Sequence, residues 1–111
     1  MSTLLQKMTA DRAAGREQLR MTVRAELRLA LLDLLPGTPV TIFGSLVRAG
    51  DFTEYSDIDL ALQGEPASAS IYQLIAQLSE RMGRKVDLIL LPDCRFREKI
   101  LLEGETWTAS A

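Results

Sequence analysis

The sequence predicts an α/β or α+β sandwich, and three observations carry that prediction. Short apolar runs at 40–43, 57–62 and 86–91 read as strands. Longer stretches with helical spacing of apolar residues precede and separate them. Breakers fall at the joints: Pro36-Gly37, the segment Gln63-Gly64-Glu65-Pro66, and Pro92. At 111 residues the chain is long enough for one domain and too short for two, so a single domain over 1–111 is expected.

Residues before about position 9 read as a terminus prone to fraying. A long helix follows from about residue 10 to residue 35, with Leu19, Val23, Leu27, Ala30, Leu31 and Leu34 on its apolar face. VTIF (40–43) is a short strand that meets Gly44, and SLVRAG suits a brief helix or turn. DIDLAL (57–62) is the second strand. A second helix then places Ile71, Leu74, Ile75, Leu78 and Met82 on one face and caps at Gly83. VDLILL (86–91) is the third strand, CRFREKILLE (94–103) a last helix, and ETWT after Gly104 a short extension. Phe96 and Trp107 are expected to pack that last helix down, and Tyr55 to be a surface loop residue.

Composition excludes several function classes. Hydrophobic residues at 47% and charged residues at 25% are the balance of a soluble globular protein. A net charge of −2 supplies no overall field toward nucleic acid or an anionic membrane, so direct nucleic-acid binding is not expected. No apolar run approaches the roughly 20 residues of a membrane span, and the N-terminus lacks a signal-peptide core. Cys94 has no second cysteine to pair with, which fits the cytoplasm. There is no histidine, which removes histidine-based triads and leaves oxygen as the donor for any metal, pointing to magnesium, manganese or calcium.

The stretch FGSLVRAGDFTEYSDIDLAL carries the candidate chemistry. Asp57 and Asp59 share one face of a strand, about 6.6 Å apart at Cα, while Ile58, Leu60 and Leu62 take the other face. Two carboxylates held so close repel, and a divalent cation turns that repulsion into coordination. Asp87, in KVDLIL, is a third such residue if its strand lies alongside. Three carboxylates do not neutralise two magnesium ions, and the surplus suits an anionic ligand such as a nucleoside triphosphate. Gly44 would let a phosphate approach the backbone, Ser45 adds a hydroxyl, and Arg48 could reach a phosphate or pair with an acid. An EF-hand loop is excluded because Ala61 and Leu62 occupy two of its required positions.

FGS, then SDIDL, then VDLIL resembles the minimal nucleotidyltransferase (MNT) branch of the DNA polymerase beta superfamily, over about Val40 to Trp107. The resemblance implies a small mixed sheet, about three strands here, packed with helices. It implies transfer of AMP from ATP to a hydroxyl with release of pyrophosphate. Gly44, Ser45 and Arg48 would bind the nucleotide; Asp57, Asp59 and Asp87 would be the catalytic residues and the ligands of two Mg2+ ions, with Mn2+ as a substitute. Asp87 is also the candidate acceptor of the attacking hydroxyl's proton. One departure is visible: eleven residues separate Ser45 from Asp57, where the family commonly has ten.

With little room for an acceptor domain, the chain resembles stand-alone members paired with a small helical HEPN-type toxin. That likeness implies a type VII-like antitoxin that adenylylates a tyrosine of the toxin. The alternatives are a non-catalytic antitoxin that neutralises by contact, and the catalytic half of a two-chain enzyme acting on a small molecule. Arg12, Arg16, Arg20, Arg24 and Arg28 recur every four residues in the first helix. They read as a solvated face with local ion pairs to Asp11, Glu17 and Glu26, or as a docking surface for an acidic partner or for nucleic acid.

Overall fold

The computed structural model describes residues 3–110. Its first helix, α1, spans Leu4–Leu34 and starts well before the point where the apolar spacing begins. A capping box explains the early start: the Thr3 hydroxyl accepts from Gln6 N–H, and the Gln6 side chain accepts from Thr3 N–H. Of the terminal segment expected to fray, residues 1 and 2 lie outside the described residues, and 4–9 are helical. The buried residues of α1 lie in its second half: Val23, Leu27, Ala30 and Leu31. Its first half extends past the body as an exposed rod, giving the molecule extents of 57 × 28 × 23 Å.

The remaining elements follow as β1 (Pro39–Phe43), a 3₁₀ turn (Gly44–Val47), β2 (Ile58–Leu62), α2 (Ile71–Met82), β3 (Val86–Leu90), a second 3₁₀ turn (Leu91–Asp93), α3 (Arg97–Glu103) and β4 (Glu105–Thr108). α2 carries its own capping box between Ser70 and Gln73 and ends at Gly83, where the sequence places its cap. The strands form one mixed sheet in the order β3-β2-β1-β4. β2 and β3 are parallel, whereas β1 runs antiparallel to both β2 and β4.

The segment ETWT is therefore a fourth strand rather than a loose extension. Gly104 makes this possible. A Cβ at that position would lie 2.7 Å from both the Ile100 and the Ile42 carbonyl oxygens, so only glycine lets the chain leave α3 and fold directly against β1.

Strand alternation divides the sheet into two faces. Val40, Ile42, Ile58, Leu60, Leu62, Val86, Leu88 and Trp107 point to one face and join Leu27, Leu31, Leu74 and Leu78 of α1 and α2 in the main core. The other face carries Asp59 and Asp87, with Ala61 covered by Leu91 and Ile100 beside α3. Trp107 accordingly packs on the α1 side, away from α3, with the Arg28 guanidinium 4.0 Å above its ring centroid. Phe96 is 66% exposed at the start of α3 and does not hold that helix down. Tyr55 is exposed, as expected for a loop tyrosine.

Gly104→Ala is expected to destabilise the fold by about 1–3 kcal/mol, because its Cβ meets two backbone oxygens that cannot swing away. Urea unfolding followed by tryptophan fluorescence measures this directly, since Trp107 sits in the displaced strand.

Candidate active site

The strand register decides which side chains meet. Asp59 on β2 is paired across the parallel ladder with Asp87 on β3, and across the antiparallel ladder with Phe43 on β1. Neighbouring strands lie about 4.8 Å apart, so the two carboxylates share one face as lateral neighbours. Asp57 sits just before β2 begins, two residues from Asp59. The Lys85 ammonium lies 4.0 Å from Asp57 Oδ2 and 3.7 Å from Asp87 Oδ1. All three aspartates thus gather at one end of the sheet.

Gly44 closes this end from the β1 side. Its φ is +77°, a conformation that residues with a side chain rarely adopt. A Cβ there would also overlap the Asp59 carboxylate. β1 can therefore turn sharply around Asp59 only because residue 44 has no side chain. Ser45 is half-buried in the following turn, and its carbonyl accepts the Arg48 N–H at 3.2 Å.

Two arginines of α1 hold the turn from beneath. Arg20 and Arg24 both donate to the Leu46 carbonyl, at 3.0 and 3.2 Å. Arg20 is also paired with Glu17 at 2.6 Å, and Arg24 with Glu105 of β4 at 2.6 Å. Arg28 lies over Trp107. The regular arginine spacing thus resolves into distinct tasks: Arg12 and Arg16 are exposed, whereas Arg20 and Arg24 tie the helix to the Gly-Ser turn and to β4. The expected pairing with Glu17 is present.

The loop before Asp57 is fixed in a comparable way. Phe52 is buried in the core, and Arg84 lies over its ring at 4.8 Å. The same guanidinium donates to the carbonyls of Thr53 and Ser56, at 3.3 and 3.0 Å. Thr53 N–H donates to Ser56 Oγ, and Ser56 N–H returns to the Thr53 carbonyl. Asp57 therefore leaves a pinned loop rather than a free one.

A cavity of about 330 Å³ opens beside Gly44, lined by Phe43, Arg48, Phe96, Lys99, Ile100 and Glu103. Arg48 borders it while pairing with Asp51 at 2.9 Å. A larger hollow of about 620 Å³ runs between α2 and β3, but neither Gly44 nor any of the three aspartates lines it. The smaller cavity shares Gly44 and Arg48 with the candidate site, although none of the three aspartates lines it.

Electrostatics mark Asp59 as the strained member. Burial pushes its carboxyl above the ordinary range, the charges of Asp87 and Asp57 add to that, and Lys85 and Arg48 oppose it. Among the described residues, no three His, Cys, Asp or Glu side chains are drawn together tightly enough to cage an ion unaided. The donor set nevertheless fits a hard cation: it is all carboxylate oxygen, it is over-charged, and an ammonium already lies between two of its members. Magnesium takes one or two protein carboxylates and completes its shell with water and phosphate oxygens, so a full protein cage is not required.

The sequence model of the family described as polymerase beta, nucleotidyltransferase matches residues 38–108, most of the chain. The chain belongs to that family. The matched span runs from β1 through β4 and so contains Gly44, the aspartates and Arg48. Two solved structures resemble this nucleotidyltransferase. One, a toxin–antitoxin crystal structure with AMP-PNP, aligns with a TM-score of 0.57 at 22% identity, covering 76% of this chain and 72% of that one. The other, the toxin–antitoxin MntA-HepT, aligns with a TM-score of 0.53 at 19% identity, covering 79% and 72%. At these identities the likeness is one of fold. Among curated proteins, none matches the sequence. Among the described residues, no helix is long and apolar enough to cross a membrane.

Gly44→Ala is expected to lower stability by about 1–3 kcal/mol through the strained φ and the overlap with Asp59, read by urea unfolding. For Asp59 the sign is fixed by its raised pKa: ionisation opposes folding above that pKa, and the penalty is relieved as pH falls through it. In EDTA at pH 7, Asp59→Asn should therefore melt above the parent. The two should converge below about pH 4, where the carboxyl is protonated in both folded and unfolded chains.

Proposed function

We propose that this nucleotidyltransferase uses ATP and magnesium to transfer AMP to a tyrosine of a HEPN-type toxin, acting as its antitoxin. The observation that carries the reading is the register that sets Asp59 beside Asp87, with Asp57 adjacent and the Gly44 turn against Asp59. The two structural neighbours support the choice of partner, because both are toxin–antitoxin assemblies. One of them was crystallised with AMP-PNP, which carries the triphosphate framework of ATP.

Each residue has a task in this reading. Gly44 and Ser45 hold the triphosphate against the backbone of the turn, which Arg20 and Arg24 keep in place through Leu46. Arg48 and Lys99, on the cavity wall, face the phosphate charge, and Phe96 offers an aromatic surface to the base. Asp57, Asp59 and Asp87 would hold two divalent ions, with Asp87 binding the catalytic one. Bound there, the ions supply charge neutralisation at the attacking and leaving oxygens. The tyrosine oxygen attacks the α-phosphorus, the bond between the α-phosphorus and the bridging oxygen to the β-phosphate breaks, and pyrophosphate leaves with that electron pair. Asp87 accepts the tyrosine proton. In this reading the chain works in the cytoplasm, beside its partner.

Incubating the chain with a HEPN-type toxin, ATP and magnesium should add one AMP to a partner tyrosine, read by mass spectrometry of the intact partner and its peptides. An Asp57→Asn, Asp59→Asn variant should lose at least about 100-fold in rate, since the ions contribute several kcal/mol of charge stabilisation. An unmodified partner in the presence of ATP-bound wild-type chain would refute adenylylation. Full neutralisation by the double variant would instead favour inhibition by contact.

A further inference from the structure

We propose that Lys85 is a displaceable counter-ion, whose ammonium balances Asp57 and Asp87 in the metal-free chain and gives up its place when divalent ions bind. The inference rests on reading the three aspartates as metal ligands.

Several observations meet at this residue. Lys85 directly precedes β3, and its position differs from Asp87 by one full strand repeat, so the two side chains leave on the same face. Its backbone is fixed, because the Lys85 carbonyl accepts the Ile58 N–H at 3.0 Å, where β2 begins. Its side chain is not fixed in the same way. At 4.0 and 3.7 Å, the ammonium is beyond hydrogen-bond range of both carboxylates and is held by charge alone. It is 67% exposed, with water on its open side.

The chemistry of lysine suits the role. A compact ammonium on a flexible four-carbon stem can stand between two acids without a fixed geometry and swing into solvent at little loss. It brings a single charge, whereas a divalent ion brings two and binds the oxygens directly. Without it, three carboxylates at one sheet end would lack their nearest balancing charge. Lys85 thus keeps the empty-handed site from forcing itself open, and it sets a threshold of divalent ion below which the acids stay paired with it.

The test measures Mn2+ binding to the nucleotide-free chain by electron paramagnetic resonance. Lys85→Met should tighten binding about fivefold to tenfold, the scale of removing one unit charge about 4 Å away in water. Lys85→Arg, which keeps the charge, should bind no more tightly than the parent. In EDTA, Lys85→Met should melt below the parent, and Mn2+ should close that gap. Unchanged or weaker binding by Lys85→Met, while Asp57→Asn, Asp59→Asn abolishes binding, would overturn the counter-ion and leave the metal reading intact. Equal binding by parent, Lys85→Met and the double aspartate variant would remove the metal reading and the proposal together.

Discussion

The crowding of three carboxylates at one end of a small sheet is the constraint around which the rest is arranged. Strand pairing sets Asp59 next to Asp87, and nothing in the backbone can relieve their repulsion. Opposing charge and geometry must manage it instead. Lys85 stands between Asp57 and Asp87, and Arg48 adds a weaker positive field at Asp59. Gly44 makes room for the Asp59 carboxylate by having no side chain. The proposed ions would meet these acids through oxygen alone, since the sequence has no histidine.

The supporting parts come from distant segments. Arg20 and Arg24 reach from α1 to the Leu46 carbonyl, and Arg24 continues to Glu105 on β4. Arg84 reaches from the approach to β3 into the loop before Asp57 and clamps two of its carbonyls. Each guanidinium satisfies acceptors that a loop would otherwise expose, and its planar fork engages more than one partner at once. The turn and the loop that frame the aspartates are therefore held by arginines distant from them in the chain, Arg20 and Arg24 on α1 and Arg84 ahead of β3.

Much of this was legible from the order of residues, and the omissions have physical reasons. Period-two alternation in DIDLAL and VDLIL separates carboxylates from core leucines without any coordinates, and the parallel register brings the two strands together as that pattern requires. α2 announced itself through its apolar face and Gly83. β4 was missed because four residues are too few to show alternation, and its pairing depends on a close approach at Gly104 that only tertiary structure reveals. The first residues of α1, 4–9, were missed because an exposed helix carries no apolar stripe, though Thr3 and Gln6 had the spacing of a capping box. Lys85 and Arg84 looked like ordinary charges ahead of a strand. Apart from Asp87, two residues from Lys85, their partners lie at 53, 56 and 57, far along the chain, and no local pattern encodes that. Phe96 was assigned to packing on hydrophobicity alone, whereas its place before the first turn of α3 leaves it outside the core.

The parallel pairing of β2 with β3 carries a consequence for how the molecule comes into being. A hairpin-like partner such as β1 meets β2 across one loop, but β3 meets it only across the longer excursion that carries α2. Closing so long an excursion is slow relative to local contacts. Asp59 and Asp87 thus become neighbours late, and a chain that has not finished folding holds at most two of its three acids together. A site that needed all three acids would then be completed only with the native state.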